Sequence, residues 1–171
     1  MPAVSGPQSR RRSRRSNAPH LRVIRLAVDT NVLVYASNRS ATEHAPCLSL
    51  VERCRVGPLP WFLSWNIIYE YLRVVTHPRV LPNPWPASAA WSFVEALLAS
   101  PSLTLLGETE RHGEVVRATV VELPFLAGNL LHDAHTAVLM REHGVRRIAT
   151  RDADFHRFPF LEVVDPLSRA Q

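Results

Sequence analysis

Asp29, Glu70, Asp133 and Asp152 stand where a folding chain gains nothing from a charge. Asp29 ends the apolar run Leu-Ala-Val, Glu70 and Asp133 interrupt apolar helical stretches, and Asp152 follows the β-prone segment Arg-Ile-Ala-Thr. An acid beside buried surface costs several kcal/mol unless it is paired, hydrogen-bonded or bound to a metal. Carboxylates gathered in one place suit a hard divalent cation such as Mg²⁺ or Mn²⁺, which takes oxygen donors and water rather than thiolate or clustered imidazole. Such ions activate water for attack on phosphorus and neutralise the leaving oxygen without a covalent nucleophile, so the expected chemistry is metal-dependent phosphodiester hydrolysis. Each acid also has a plain reading: a helix cap for Asp29, an exposed charge for Glu70, an arginine partner for Asp133, a turn residue for Asp152. Their joint placement carries the weight, because the chain has only five Asp, and Asp29, Asp133, Asp152 and Asp154 are four of them. The fifth, Asp165 before Pro166, reads as a turn.

Composition narrows the alternatives. All 20 basic residues are Arg, and without lysine there is no P-loop lysine, no Schiff-base lysine and no Ser-Lys dyad. Five arginines, Arg10, Arg11, Arg12, Arg14 and Arg15, account for the whole net charge of +5, so the remaining chain is balanced. Cys47 and Cys54 fall on one predicted helix, about 10 Å apart along its axis, too far for a disulfide while the helix stands. That points to a reduced, cytoplasmic setting. No apolar run approaches the roughly 18 residues of a membrane span, and none follows the arginines to make an export signal, so no membrane association is expected.

The elements that must position these acids alternate. Residues 1–20, rich in Ser, Pro and Arg, are expected to be a disordered tail, and residues 21–171 one globular domain. Strands are expected over 21–28, 60–64, 103–106, 146–150 and 160–164. Helices are expected from about 30, over 43–55, from Ser64 or Asn66 to about Thr76, and over 87–99, 108–123 and 129–143, the last closed by Gly144. Pro78, Pro82, Pro84 and Pro86 make the segment between the third and fourth helices a stiff loop. This order predicts an α/β fold: a central parallel sheet with helices on both faces and ligands beyond the carboxyl ends of the strands, where Asp29 and Asp152 fall. On helical wheels, Glu70 edges a stripe of Ile67, Ile68, Tyr71 and Leu72, and Asp133 edges one of Leu130, Leu131, Ala134 and Ala137.

Four motifs then resemble one family. Ala27-Val28-Asp29-Thr30-Asn31, Tyr69-Glu70-Tyr71 with the following Thr76-His77-Pro78-Arg79, Leu131-His132-Asp133-Ala134-His135, and Thr150-Arg151-Asp152-Ala153-Asp154-Phe155 are similar to the acidic motifs of PIN-domain nucleases. Among these they look like the VapC-type ribonuclease toxins of bacterial toxin-antitoxin pairs, over about residues 24–167. The resemblance implies an endoribonuclease that uses Mg²⁺ or Mn²⁺ to cut single-stranded regions of RNA, probable targets in the family being tRNA or rRNA. It also implies a VapB-type antitoxin, and a homodimer that forms a heterotetramer or larger assembly with it. Carried over residue by residue, Asp29, Glu70, Asp133 and Asp152 would be catalytic and hold metal, with Asp154 accessory and Asn31 and Thr150 orienting carboxylates. Arg73 and Arg79 are candidates for RNA phosphates. The arginine-rich tail departs from the family pattern.

Other readings fit less well. A haloacid-dehalogenase-type phosphatase needs a second acid where Asn31 stands, as well as a lysine. An HD-type phosphohydrolase would use His132 and Asp133 but leaves Asp29 unexplained. A catalytically silent PIN-like module binding RNA or a partner is expected to have lost carboxylates, and here all four remain. His132 and His135 are expected as exposed or capping residues. The four tryptophans are expected in core or interface packing, with Trp61 and Trp65 offering grooves to an antitoxin segment.

Overall fold

Strand and helix alternate because the apolar runs are short and each ends at a charge, a proline or a glycine. A computed structural model describes residues 25–168. The order is β1 (Leu26–Val28), α1 (Thr30–Ser37), α2 (His44–Val56), β2 (Trp61–Ser64), α3 (Trp65–Val75), α4 (Ala87–Leu98), β3 (Leu103–Leu106), α5 (His112–Glu122), α6 (Leu130–Glu142), β4 (Arg147–Ala149), a 3-10 turn (Ala153–Arg157) and β5 (Glu162–Val164). The five strands form one sheet in the order β3-β2-β1-β4-β5, every pair parallel.

Strands of a parallel sheet bury both faces, which is why they read as continuous apolar runs rather than alternating ones. Val28, Trp61, Leu63 and Ala149 point into one apolar cluster, closed by α1 to α4 through side chains such as Leu33, Val51, Ile68 and Val94. Ala27, Phe62, Leu106 and Ile148 point into the other, with Leu130, Ala137 and Met140 of α6 and Phe155 and Phe158 beyond it. The chain is therefore a single α/β unit with helices on both sheet faces. Strand order reverses direction between β1 and β4, where crossovers leave the sheet in opposite senses and open a crevice at the carboxyl ends.

Local chemistry sets the boundaries. Asp29 caps α1, accepting from the Thr30 amide, while Gly57 ends α2 through its amide to the Arg53 carbonyl. Gly144 takes φ +65° just past α6, a left-handed conformation that glycine adopts without the steric cost of a Cβ. The Pro-rich loop is tied back by the Trp85 amide to the Val75 carbonyl at 2.8 Å.

Several expectations need correction. Ser64 does occupy the cap position of α3, yet its side chain makes no capping bond; the Asn66 amide reaches Thr136 Oγ1 instead, at 2.8 Å. Helix α5 begins at His112 rather than 108, because Thr109 and Glu108 are drawn off to α6. Leu131 does not belong to the buried stripe of α6; it is 50% exposed, and Leu130, Ala134 and Ala137 make that face. Trp61 is core, 1% exposed with Nε1 on Ser100 Oγ, so it forms no partner groove with Trp65, which is 46% exposed. Tail residues 1–20 and the start of the expected first strand, 21–24, lie outside the described residues. Both cysteines lie in α2 and are free. No helix among the described residues is long and apolar enough to cross a membrane.

Candidate active site

Asp29, Glu70, Asp133 and Asp152 come from four different places: the end of β1, the middle of α3, the first turn of α6 and the segment after β4. All four line one cleft of about 380 Å³. Glu70, Asp133 and Asp152 also border an adjoining hollow of about 830 Å³, together with Asp154, Tyr69, Arg73 and His132. The crevice at the strand-order reversal thus holds every acid singled out from sequence. A neighbouring hollow beside α1 and α2, about 540 Å³, shares Asn38 and Leu81 with the cleft but is lined by no acid.

Hydrogen bonds fix the cluster from beneath. Asp29 is only 7% exposed and Thr150 is fully buried. Thr150 Oγ1 donates to Asp29 Oδ2 at 2.6 Å and accepts from Asn31 Nδ2 and the Asp152 amide, both at 2.9 Å. One donor and two acceptor sites are all a hydroxyl has, so Thr150 is saturated. Asn31 spends its other N–H on Asp29 Oδ2 at 2.6 Å and accepts from the Arg151 amide at 3.2 Å, stitching the ends of β1 and β4 together. The Thr30 amide takes Asp29 Oδ1 at 2.8 Å, leaving that oxygen one lone pair toward the cleft. The segment after β4 is shaped by Asp152 Oδ1, which accepts from the Asp154 amide at 2.9 Å.

One orienting contact had no sequence signal beyond its position behind Asp29. Thr30 Oγ1 donates to Glu70 Oε2 at 3.0 Å, holding the acid of α3 toward β1. Arg73 stands one helical turn from Glu70, 3.4 Å from its Oε1, and borders the outer hollow. Arg79 does not line either part of the cleft, although its neighbours Val80 and Leu81 do. Asp154 sits at the rim, 3.5 Å from Arg157.

Electrostatics are those of a site short of positive charge. Burial pushes the Asp29 carboxyl up to about 6; the bonds from Thr150 and Thr30 pull it down, and the charges of Glu70 and Asp152 push it up again. Asp133 is pushed up to about 7, first by loss of water and then by Asp152, Asp29, Asp154 and Glu70. Like charges held together without a counter-ion shift in this way. The donors are carboxylate oxygens throughout, and their mutual repulsion is what a cation would relieve, so the residues fit a hard divalent ion. With such an ion the arrangement can orient water and a phosphodiester for hydrolysis.

The model of the family described as "PIN domain" matches residues 26–161. Ribonuclease VapC48 of Mycobacterium tuberculosis is 37% identical over 140 residues, 82% of this chain and 96% of that protein. Ribonuclease VapC37 of the same species is 34% identical over 131 residues, 77% of this chain and 90% of that one. Among solved structures, Mycobacterium tuberculosis VapC20, described as a Sarcin-Ricin loop cleaving toxin, superposes with a TM-score of 0.57 at 18% identity, covering 77% of this chain and 92% of its own. VapBC2 from Rickettsia felis, bound to a DNA fragment from its promoter, gives 0.56 at 17% identity over 82% and 97%. What these two structures share with the chain is the fold described above.

Proposed function

From its membership of the PIN-domain family, as a VapC-type nuclease, we propose that this chain is a divalent-cation-dependent endoribonuclease acting as the toxin of a toxin-antitoxin pair. The observation that carries the reading is the convergence of four acids from four separate elements on one cleft, two of them with pKa raised by burial and then by their neighbours' charge. Asp29, Glu70, Asp133 and Asp152 would hold Mg²⁺ or Mn²⁺ directly or through water, and Asp154 would assist from the rim. When bound, the cation supplies Lewis acidity at the attacked phosphodiester and charge neutralisation for the oxygen that leaves.

The chain's own groups do the rest. Thr150 and Asn31 keep Asp29 turned into the cleft, and Thr30 does the same for Glu70. Arg73 at the mouth offers a guanidinium to a phosphate, and Arg79 can do so from the neighbouring loop. Tyr69, 69% exposed and tilted against Trp65 with ring centroids 6.2 Å apart, presents an aromatic face beside Glu70. An unpaired base can stack there, whereas a duplex cannot present one, which favours single-stranded regions of RNA. tRNA and rRNA are the substrate classes the family relation suggests, in the cytoplasm. Exposed apolar side chains at Val121, Leu131 and Phe125 suit protein partners, namely a second copy and a VapB-type antitoxin.

The test pairs the native chain with Asp29→Asn. Purified without antitoxin and given total RNA with Mn²⁺, the native protein should cleave, and Asp29→Asn should lose at least about 100-fold in rate. Equal cleavage by both, or none by either, overturns the nuclease reading. Expressed in cells, only the native chain should arrest growth, and co-expression of its antitoxin should relieve the arrest; a cleaving yet harmless protein would remove the toxin role alone.

A further inference from the structure

A second group of metal-type ligands lies outside the acid cleft. Glu108 follows β3, His112 opens α5 and His135 lies in α6, and one donor atom of each falls within 4.8 Å of the others. His135 Nε2 is 3.2 Å from Glu108 Oε1. Bonds of about 2.0 Å to a tetrahedral ion set neighbouring donors roughly 3.3 Å apart, so this edge is already at ligand spacing. The two imidazoles stand nearly perpendicular, with centroids 5.8 Å apart.

Behind His112 sits an acid that a surface ion pair does not need. Glu142 Oε1 meets His112 Nδ1 at 2.5 Å, and the Glu142 side chain is only 1% exposed. Its other oxygen accepts from the Thr109 amide at 2.9 Å and Thr109 Oγ1 at 2.6 Å. Nδ1 being engaged, Nε2 is the nitrogen free for a ligand. A carboxylate placed behind a histidine in this way fixes the ring and raises its basicity toward a metal. Exposed Glu-His pairs alone contribute little and have no use for such a buried support.

We propose that Glu108, His112 and His135 bind a late first-row transition ion, Zn²⁺ being the expected occupant, with Glu142 orienting His112. Two imidazoles and one carboxylate suit this class of ion rather than Mg²⁺, and three protein ligands leave a fourth position to water. Because the ligands come from the β3–α5 connection, α5 and α6, the ion fastens that side of the fold. None of the three borders the acid cleft.

The full, tag-free chain, stripped with chelator and supplied with excess Mg²⁺ to fill the acid cleft, is titrated with Co²⁺ as a spectroscopic stand-in. One equivalent should give the visible bands of a tetrahedral ion, Zn²⁺ should abolish them, and Zn²⁺ should raise Tm by about 5 °C. Glu108→Gln, at an exposed position that leaves the fold intact by circular dichroism, should lose the bands, as should His135→Gln, while Asp29→Asn keeps them. Absence of bands in the native chain, bands unaltered in Glu108→Gln and His135→Gln, or thiolate charge-transfer absorption from the cysteines would each overturn the site. These outcomes do not depend on whether the chain cleaves RNA.

Discussion

Thr150 is the residue on which the acid cluster turns. Its hydroxyl is buried, saturated and shared among Asp29, Asn31 and the Asp152 amide. Thr150→Val keeps the shape and removes the polar atom, leaving Asp29, Asn31 and the Asp152 amide without their shared partner. The expected cost is about 1–3 kcal/mol in urea unfolding. RNA cleavage should fall by roughly 10–100-fold, as when groups that orient metal ligands are removed. Unchanged cleavage with normal stability would mean that Asp29 keeps its position unaided. Val is also the informative choice because Ser would retain the network and should restore most of the activity.

At the scale of elements, boundaries follow residues with a specific backbone task. Gly144 holds φ +65° after α6, and a Cβ built there would meet only Arg25 Nη1, at 3.9 Å. Gly144→Ala is therefore a test of backbone conformation with no steric clash mixed in. A loss of about 1–2 kcal/mol is expected from denaturant midpoints, with no change in the slope. A neutral result would show that the turn after α6 is free to adopt another conformation. The sequence made this glycine legible, along with β3, α3 and the Pro-rich loop, because each depends on neighbours in the chain. It did not disclose the outward turn of Leu131, since a stripe on a wheel does not say which flank meets the sheet. The late start of α5 was hidden because Glu142 and His135, far along the chain, capture Thr109 and Glu108.

For the whole molecule, gathering the acids is a free-energy cost that pH can read out. A carboxyl whose pKa is higher folded than unfolded keeps a proton on folding that the unfolded chain releases, so its contribution to stability is greatest below about pH 4 and declines as pH rises through the folded value. Asp29 at about 6 and Asp133 at about 7 place that decline between roughly pH 4 and 7. Glu142, pulled below its ordinary value by bonds from Thr109 and His112 that outweigh its burial, acts in the opposite sense and loses its stabilisation as pH falls below about 4.5. Chelator-treated protein should accordingly be less stable at pH 7.5 than near pH 5, by thermal or urea unfolding, and Asp29→Asn should flatten the slope. Stability that rises across this window would contradict the raised values. The four acids stood out by their isolation in apolar text, and the parallel sheet was readable from the alternation of elements. Thr30 on Glu70 and the Glu108, His112 and His135 group were not, because they depend on the packing of α1 against α3 and of α5 against α6.

The tie between Thr150 and Asp29 spans 121 positions. A ribosome adding about 5–20 residues per second needs on the order of 10 s to travel that distance, and more before the last strand clears the exit tunnel. Throughout that interval the polypeptide has Asp29, and for most of it Glu70, but neither Asp152 nor the hydroxyl that aims Asp29. Until Thr150 and Asp152 have been made the cluster cannot assemble, so a nascent chain lacks a complete acid site.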